Sequence, residues 1–247
     1  MEKDFLIIEY DELDSTQTEA KNLLYRGKAY PNTVIFTTSQ TKGRAKNIRT
    51  WSSAQGDLAC TIILKPSTYV ALHPQITYIA AIAVSNAIRK FFPAASLLHK
   101  WVNDVLLEKR KVSGILLEKY QDRFILVGVG INILPKKPIP DLNAIGITDI
   151  SPFTITPKAL LQVVLEEFFE LFVYWEQFGF QRIKIQWLAR AANLNKKIVI
   201  KIEDQEKSGI FLGIDDKGNL QLLRNQKIEL LCAGDVFIRR SIYASCG

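Results

Sequence analysis

The sequence predicts an α+β fold, in which a mixed β-sheet packs against helices and a small C-terminal β-barrel follows. Two observations support this prediction. Short apolar, β-branched runs are interspersed with longer segments of helical period over most of the chain. The composition then changes at residues 193–197, and five short alternating runs separated by turns follow. We therefore expect a larger domain over residues 1–193 and a small barrel domain over residues 194–247.

The strands of the larger domain are predicted from short runs rich in apolar and β-branched residues. They cover residues 5–10, 33–38, 58–64, 105–107, 112–117 and 124–133. A charged turn separates the fourth run from the fifth, which predicts a hairpin. Gly114 interrupts the fifth run, and a glycine inside a strand often marks a close approach to the backbone. Gly128 and Gly130 leave similar room at a pocket floor.

The helices are predicted from apolar residues that recur with the helical period. The first opens at residues 14–19, where Thr16 and Glu19 have the spacing of a capping box. Further helices are predicted over residues 74–92, from residue 156 through residue 175, and over residues 181–192. Pro74 and Pro157 suit helix starts, because proline lacks an amide hydrogen that the first turn would leave unbonded.

The strands of the barrel domain are predicted from short alternating runs. They cover residues 198–202, 209–214, 220–223, 228–231 and 236–239. Residues 215–219, Asp-Asp-Lys-Gly-Asn, form a turn cluster between the second strand and the third.

The composition indicates a globular protein with a basic surface. The formal net charge of +7 at pH 7 suits nucleic acid, a polyanionic substrate or an acidic protein. Cys60, Cys232 and Cys246 show no paired spacing and are predicted to be reduced thiols. The two histidines, His73 and His99, argue against a histidine-based metal site or triad, and His99 is expected to be structural and partly buried. Without a signal-peptide pattern or a run of transmembrane length, we expect a cytoplasmic protein and no membrane partner.

The first segment that indicates chemistry is residues 100–118, which contains the predicted hairpin. Lys111 stands at a strand start, while Asn103 and Asp104 end the preceding segment. An ammonium fixed beside a carboxylate and an amide suits an anionic, metal-bound ligand such as a nucleotide phosphate. Taken alone, the same residues also fit a solvated charged turn.

The second such segment is the basic loop at residues 38–51. It contains Lys42, Arg44, Lys46 and Arg49, and it ends at Trp51. Arginine forks bind carboxylate and phosphate bidentately, and an indole face can stack on a purine or a cation. Taken alone, this loop could be a nucleic-acid patch or a solvated basic turn.

Together these segments resemble the biotin protein ligases, which attach biotin to a carrier protein. Residues 100–104, Lys-Trp-Val-Asn-Asp, are similar to the family's Lys-Trp-Pro-Asn-Asp, and residues 114–118 to its Gly-Ile-Leu-x-Glu. Residues 43–51 follow the spacing of its Gly-Arg-Gly-Arg-x-Gly-Arg-x-Trp loop. Residues 128–132 are similar to its Gly-x-Gly-Ile-Asn, and residues 13–17 contain a version of its Asp-Ser-Thr-Asn. The motifs occur in the family's order and span nearly the whole chain.

The resemblance implies a class II synthetase-like biotin–lipoate ligase domain over residues 1–193, followed by a Src-homology-3-like barrel over residues 194–247. It also implies two reaction steps, in which biotin and ATP form biotinyl-AMP and a carrier lysine then takes the biotinyl group. Some members carry an N-terminal helix-turn-helix domain. The Ser15-Thr16 motif comes too early in this sequence for that domain, so we expect no specific DNA binding.

The site residues that the resemblance implies fall into three groups. The catalytic residues are Lys111, Arg44 and Asp104, with Lys111 between the biotin carboxylate and the α-phosphate and Asp104 as a candidate base. The biotin-binding residues are Ser15, Thr16, Gln17, Gln40, Gly43, Arg44, Ala45, Lys46, Lys111 and Gly114. The residues for ATP and the adenylate are Arg49, Trp51, Lys100, Asn103, Asp104 and Asn132. ATP and Mg²⁺ are the implied cofactors, and Asp104 is the candidate magnesium ligand.

This sequence departs from the family pattern in the basic loop. Ala45 and Ile48 stand where the family usually has glycine, and Lys46 stands where it usually has arginine. We expect this loop to close less tightly over the intermediate.

Two other functions also fit parts of this sequence. A lipoate ligase uses related adenylating chemistry, and a basic nucleic-acid-binding protein would also carry a cationic loop. Against the latter, the chain lacks a helix rich in arginine or lysine and an aromatic ladder. The implied partner is the biotin carboxyl carrier protein of a biotin-dependent carboxylase. Edge strands of the central sheet could also pair across a homodimer.

Overall fold

The computed structural model describes residues 5–46, 49–136, 143–151, 153, 155–202, 205–232 and 234–237. It confirms the α+β class, because a seven-stranded mixed sheet packs against helices and a five-stranded sheet follows. Predictions for Ile48, Cys246 and residues 238–239 of the last strand lie outside the described residues. The domain boundary between residues 193 and 194 stays a prediction.

The large sheet has the strand order β1-β2-β3-β7-β6-β5-β4. Its strands are β1 (Leu6–Tyr10), β2 (Thr33–Thr37), β3 (Leu58–Leu64), β4 (Leu97–Lys100), β5 (Asp104–Leu107), β6 (Arg110–Tyr120) and β7 (Phe124–Ile131). β1 and β2 are parallel, and the other neighbouring strands are antiparallel. This order places β6 and β7, with Gly114, Gly128 and Gly130, inside the sheet.

The predicted hairpin is formed by β5 and β6. Its two-residue turn, Glu108 and Lys109, has φ values of 48° and 62°, as the favoured type I′ turn requires. In this hairpin, Asp104 is the first residue of β5 and Lys111 is the second residue of β6. β4 was not predicted, because four residues are too few to show strand alternation.

The α-helices are α1 (Thr16–Tyr25), α2 (Ile76–Phe91), α3 (Pro157–Phe178) and α4 (Gln181–Leu188), with 3-10 helices at Val70–Gln75 and Ile147–Asp149. The capping box predicted at Thr16 is wrong, because Ser15 is the N-cap and Thr16 is the first helical residue. α2 starts two residues later than predicted, since Pro74 belongs to the preceding 3-10 helix. Thr156 caps α3 by accepting a hydrogen bond from the Ala159 amide. None of these helices is both long and apolar enough to cross a membrane.

The two faces of the large sheet pack against different helices. One face packs against α2 and α3 through the main apolar core. The other face packs against α1 through a smaller cluster, formed by Ala20, Leu23, Ala29, Ile35, Ile63 and Leu126. Because side chains alternate along a strand, Gly128 and Gly130 lie on the same face as Leu126. The three sheet glycines therefore leave space beside α1 rather than in the main core.

The second sheet has the order β11-β10-β9-β8-β12, with all neighbours antiparallel. Its strands are β8 (Lys197–Ile202), β9 (Gln205–Ile214), β10 (Leu220–Arg224), β11 (Lys227–Leu231) and β12 (Asp235–Phe237). The five predicted strands are confirmed, and β9 begins four residues earlier than predicted. Within the described residues no pairing joins β11 to β12, and closure of this sheet into a barrel stays a prediction. The Tyr78 hydroxyl of α2 donates to the Gly218 carbonyl, which connects this sheet to the main core.

His99 of β4 is a structural residue, as predicted, and it is fully buried. Its Nε2 lies 2.9 Å from the Ser85 hydroxyl oxygen, and its Nδ1 lies 3.2 Å from the Trp187 carbonyl oxygen. Burial lowers the pKa of His99 to about 4, although the Trp187 carbonyl acts in the opposite direction. His99 is therefore neutral in the folded protein at neutral pH.

We expect His99 to remove about 2 kcal/mol from the free energy of unfolding between about pH 7 and about pH 5. The folded-state pKa is depressed, so the unfolded chain takes up this proton first as the pH falls below the ordinary histidine pKa. His99→Gln has no such proton and should show a smaller loss in urea-unfolding measurements over the same range. Equal losses in the two proteins would contradict this prediction.

Candidate ligand-binding site

A slot lies on the α1 face of the large sheet, and glycines form its floor. Gly114 of β6 pairs with Gly130 of β7. A Cβ atom at Gly130 would lie 2.5 Å from Cε2 of Trp51, and one at Gly114 would lie 2.9 Å from its Cζ3. The indole therefore approaches the sheet backbone more closely than any side chain at either position would allow.

The slot combines an apolar interior with polar and cationic groups. It is lined by Ser15, Thr16, Gln17, Gln40, Arg44, Ala45, Lys46, Trp51, Cys60, Asn103, Lys111, Gly114, Ile115, Leu116, Gly128, Val129 and Gly130. Such a combination is typical of sites for small molecules. Cys60 is free, and burial raises the pKa of its thiol to about 12, so it remains neutral. Cys232, the other described cysteine, is also free.

The start of α1 presents unpartnered polar atoms to the slot. Ser15 is the N-cap residue, but its hydroxyl makes no capping hydrogen bond. The Ser15 hydroxyl oxygen and Oε1 of Gln17 are buried without a protein partner. Buried polar atoms are normally hydrogen-bonded, so these two atoms are suited to a bound ligand.

Thr16 and Gln40 connect the start of α1 to the basic loop. The Gln40 side-chain oxygen accepts hydrogen bonds from the Thr16 amide at 2.9 Å and the Thr16 hydroxyl at 3.2 Å. Thr16 in turn accepts a hydrogen bond from the Thr61 hydroxyl of β3 at 2.9 Å. These contacts satisfy Thr16 internally and fix the wall of the slot.

The basic loop folds back on itself beside the slot. Arg44 and Thr50 form an isolated antiparallel bridge, and the Trp51 amide donates to the Gly43 carbonyl at 2.8 Å. A Cβ atom at Gly43 would lie 2.3 Å from the Trp51 carbonyl oxygen, so this crossing requires glycine. Ala45 does not have a positive φ and is therefore tolerated at its position.

Lys111 is held rigidly at the slot. Its ammonium lies 2.6 Å from Oδ1 of Asp104 and 5.4 Å from the centre of the Trp51 ring. Its carbonyl accepts hydrogen bonds from the Ile145 amide at 3.0 Å and from the Asn132 side chain at 3.3 Å. Both the backbone and the charge of Lys111 are therefore positioned before any ligand binds.

Three cations of the basic loop have partners outside the slot. Arg44 Nη2 donates to Oε1 of Glu118 at 2.7 Å. Lys46 Nζ donates to the Gly234 carbonyl at 3.3 Å, and Arg49 forms an ion pair with Asp235. The loop therefore contacts the segment that leads into β12 of the second sheet.

The structure gathers most of the predicted site residues around the slot but not all of them. Gly43, Arg49, Lys100, Asp104 and Asn132 do not line it. Most of these residues contact ones that do, as the Asp104–Lys111 ion pair shows. The predicted contacts with biotin, ATP and the adenylate stay predictions.

Sequence reasoning missed the apolar wall and one charged residue behind it. The missed lining residues are Cys60, Ile115, Leu116 and Val129. They lie in apolar stretches of β3, β6 and β7, so the pattern does not distinguish lining residues from core residues. Glu118 was matched to a family motif but was given no role.

Asp104 does not by itself form a metal site. Its second oxygen lies 3.9 Å from the Lys100 ammonium, so the Lys100 and Lys111 ammonium groups both adjoin this carboxylate. Their positive charges would repel a magnesium ion bound there. Among the described residues, no group of three or more His, Cys, Asp and Glu side chains could hold a metal ion. The magnesium-ligand role of Asp104 stays a prediction that these contacts do not favour.

Comparison with known families gives two matches along the chain. Residues 10–133, which include the basic loop and the glycine floor, match the biotin/lipoate A/B protein ligase family. Residues 194–239, which include the second sheet, match the biotin protein ligase C terminal domain.

Individual relatives agree with these matches. The biotin–[acetyl-CoA-carboxylase] ligase of Paracoccus denitrificans is 34% identical, over 91% of this chain and 97% of that protein. The bifunctional ligase/repressor BirA of Bacillus subtilis is 29% identical, over 93% of this chain and 73% of its own length. The biotin protein ligase from Aquifex aeolicus, solved in complex with biotin and ATP, superposes with a TM-score of 0.85. It is 26% identical, and the match covers 96% of this chain and 99% of that chain. The chain thus belongs to the biotin/lipoate A/B protein ligase family and, within it, to the biotin protein ligases.

Proposed function

We propose that this protein activates biotin with ATP and transfers the biotinyl group to a lysine of a biotin carboxyl carrier protein. The observation that carries the proposal is the pair of buried, unpartnered polar atoms on residues that line the slot. The Ser15 hydroxyl can donate to a ureido carbonyl, and Oε1 of Gln17 can accept from a ureido N–H. The apolar side chain of Leu116, which lines the slot with the Trp51 indole, suits the sulfur-containing ring of biotin.

The first step brings two anions together, so it needs fixed positive charge. A biotin carboxylate oxygen attacks the α-phosphorus of ATP, and the bond to the bridging oxygen breaks as pyrophosphate leaves. The Lys111 ammonium, held by Asp104, is suited to lie between the carboxylate and the α-phosphate. Arg44 and Lys46 line the same slot and would lower the repulsion between the reactants.

The second step forms an amide and releases AMP. The carrier lysine attacks the carbonyl carbon of the mixed anhydride, the bond to the phosphate oxygen breaks, and the ammonium proton is lost. Asp104 is the candidate acceptor of that proton. Because its carboxylate pairs with Lys111 at 2.6 Å, the approaching amine would have to reach its less engaged oxygen.

We expect mass spectrometry to show one added biotinyl group on a carrier domain incubated with this protein, biotin, ATP and magnesium. Omission of ATP should abolish the addition. A carrier whose acceptor lysine is replaced by arginine is the matched control. A carrier that remains unmodified while pyrophosphate is also not released would contradict the proposed function.

The same assay distinguishes the related lipoate ligases. Lipoate lacks the ureido group that Ser15 and Gln17 would recognise, so we expect little pyrophosphate release when it replaces biotin. Faster release with lipoate would favour the alternative. Homodimer formation, a cytoplasmic location and the absence of specific DNA binding remain predictions from the sequence.

A further inference from the structure

The Glu118 carboxylate of β6 binds side chains from two separate parts of the chain, the basic loop and α1. Its Oε1 accepts from Arg44 of the basic loop at 2.7 Å and from Lys21 of α1 at 3.1 Å. Its Oε2 accepts from the side-chain nitrogen of Gln17 at 3.1 Å. The carboxyl side chain is only 19% exposed, so these contacts are partly shielded from water. Glu118 therefore contacts two residues that line the slot, although it does not line the slot itself.

The position of Glu118 follows from strand alternation. Gly114, Leu116 and Glu118 occupy alternate positions of β6 and therefore share the face that α1 covers. Gly114 and Leu116 belong to the slot, and Glu118 lies one further position along the same row. A carboxylate is thus fixed at the edge of the slot by the strand that also carries Lys111.

Glu118 fixes which end of the Gln17 amide faces the slot. An ionised carboxylate only accepts hydrogen bonds, so it must face the amide nitrogen rather than the amide oxygen. The same nitrogen also lies 3.4 Å from the Leu116 carbonyl, another acceptor. The Gln17 oxygen consequently points elsewhere, and it is buried without a protein partner.

We propose that Glu118 is a positioning residue that sets the ligand specificity of the slot through Gln17. By holding the amide nitrogen, it presents the amide oxygen as an acceptor for an N–H group of the bound acid. Its contact with Arg44 holds the basic loop beside the same ligand. This inference rests on the proposed function, in which the acid is biotin and the N–H belongs to its ureido ring.

We expect Glu118→Gln to weaken biotin binding about tenfold, measured by calorimetry without ATP. A glutamine at position 118 offers one acceptor in place of two, so it can no longer hold Gln17 and Arg44 together. Lys21→Met is the matched control, because it removes a partner of the same carboxylate but leaves the Gln17 and Arg44 contacts. Its biotin affinity should stay within about threefold of wild type.

A double-mutant cycle tests whether Glu118 acts through Gln17. Gln17→Met removes the acceptor, so adding Glu118→Gln to it should weaken biotin binding by much less than Glu118→Gln does alone. A purely structural role would give losses that add in full. Glu118→Asp keeps the negative charge but shortens the side chain by one methylene. If Glu118→Gln folds poorly, a double-mutant cycle of Glu118→Asp with Gln17→Met tests the same coupling.

Wild-type affinity in Glu118→Gln, or full additivity in both cycles, would overturn this inference. Neither result would affect the proposed function, because the wild-type protein would still bind biotin and modify the carrier. Failure of the wild-type protein to bind biotin would instead contradict the proposed function.

Discussion

Lys111→Ala is expected to lower the rate of pyrophosphate release at saturating biotin by about 100-fold or more, while the fold stays intact. This loss corresponds to a charge-assisted contact of about 3 kcal/mol that is made in the transition state. The ion pair with Asp104 and the hydrogen bonds to the Lys111 backbone hold the Lys111 ammonium in place. The side chain therefore does not have to move when negative charge gathers at the α-phosphate.

The control for this prediction lies on the same strand. Lys119 of β6 pairs with Asp122 at 2.5 Å, and it does not line the slot. Lys119→Ala should therefore release pyrophosphate within about threefold of the wild-type rate. Circular dichroism of both variants would show that the fold is retained. Near-normal turnover in Lys111→Ala would exclude its role in the first step.

The parts of the site that the sequence predicts are those set by local chemistry. Gly114 and Gly130 interrupt apolar strands, and the structure shows an indole pressed against both of them. The charged turn joins β5 to β6, whose register shifts between Val105 and Leu106, and the Asp104 and Lys111 side chains form an ion pair across this hairpin. Short-range patterns could therefore predict the hairpin and the charge pair within it.

The parts that the sequence does not predict depend on contacts between distant segments. Glu118 receives Arg44 from 74 residues away, and Arg49 meets Asp235 across 186 residues. No local period encodes such partners, because they follow from how whole elements pack. Ser15 illustrates the same limit, since the sequence does not show that the hydroxyl of this N-cap residue is buried without a hydrogen-bond partner.

Restoring the family pattern in the basic loop is expected to slow the release of biotinyl-AMP about tenfold. The variant combines Ala45→Gly, Lys46→Arg and Ile48→Gly. Lys46 now donates to a neutral carbonyl at Gly234, at 3.3 Å, and as a point charge it offers an anion no paired bonds. An arginine fork at this position can bind two phosphate oxygens at once.

The loop residues are expected to contribute unequally to this change. Because Ala45 does not have a positive φ, glycine relieves no strain there, and most of the effect should come from Lys46→Arg alone. Lys42→Arg is the matched control, since Lys42 lies in the same loop but pairs with Asp14 and is 77% exposed. The measurement is the dissociation rate of preformed biotinyl-AMP without a carrier. Release from the restored loop as fast as from the natural loop would show that these departures do not loosen the site.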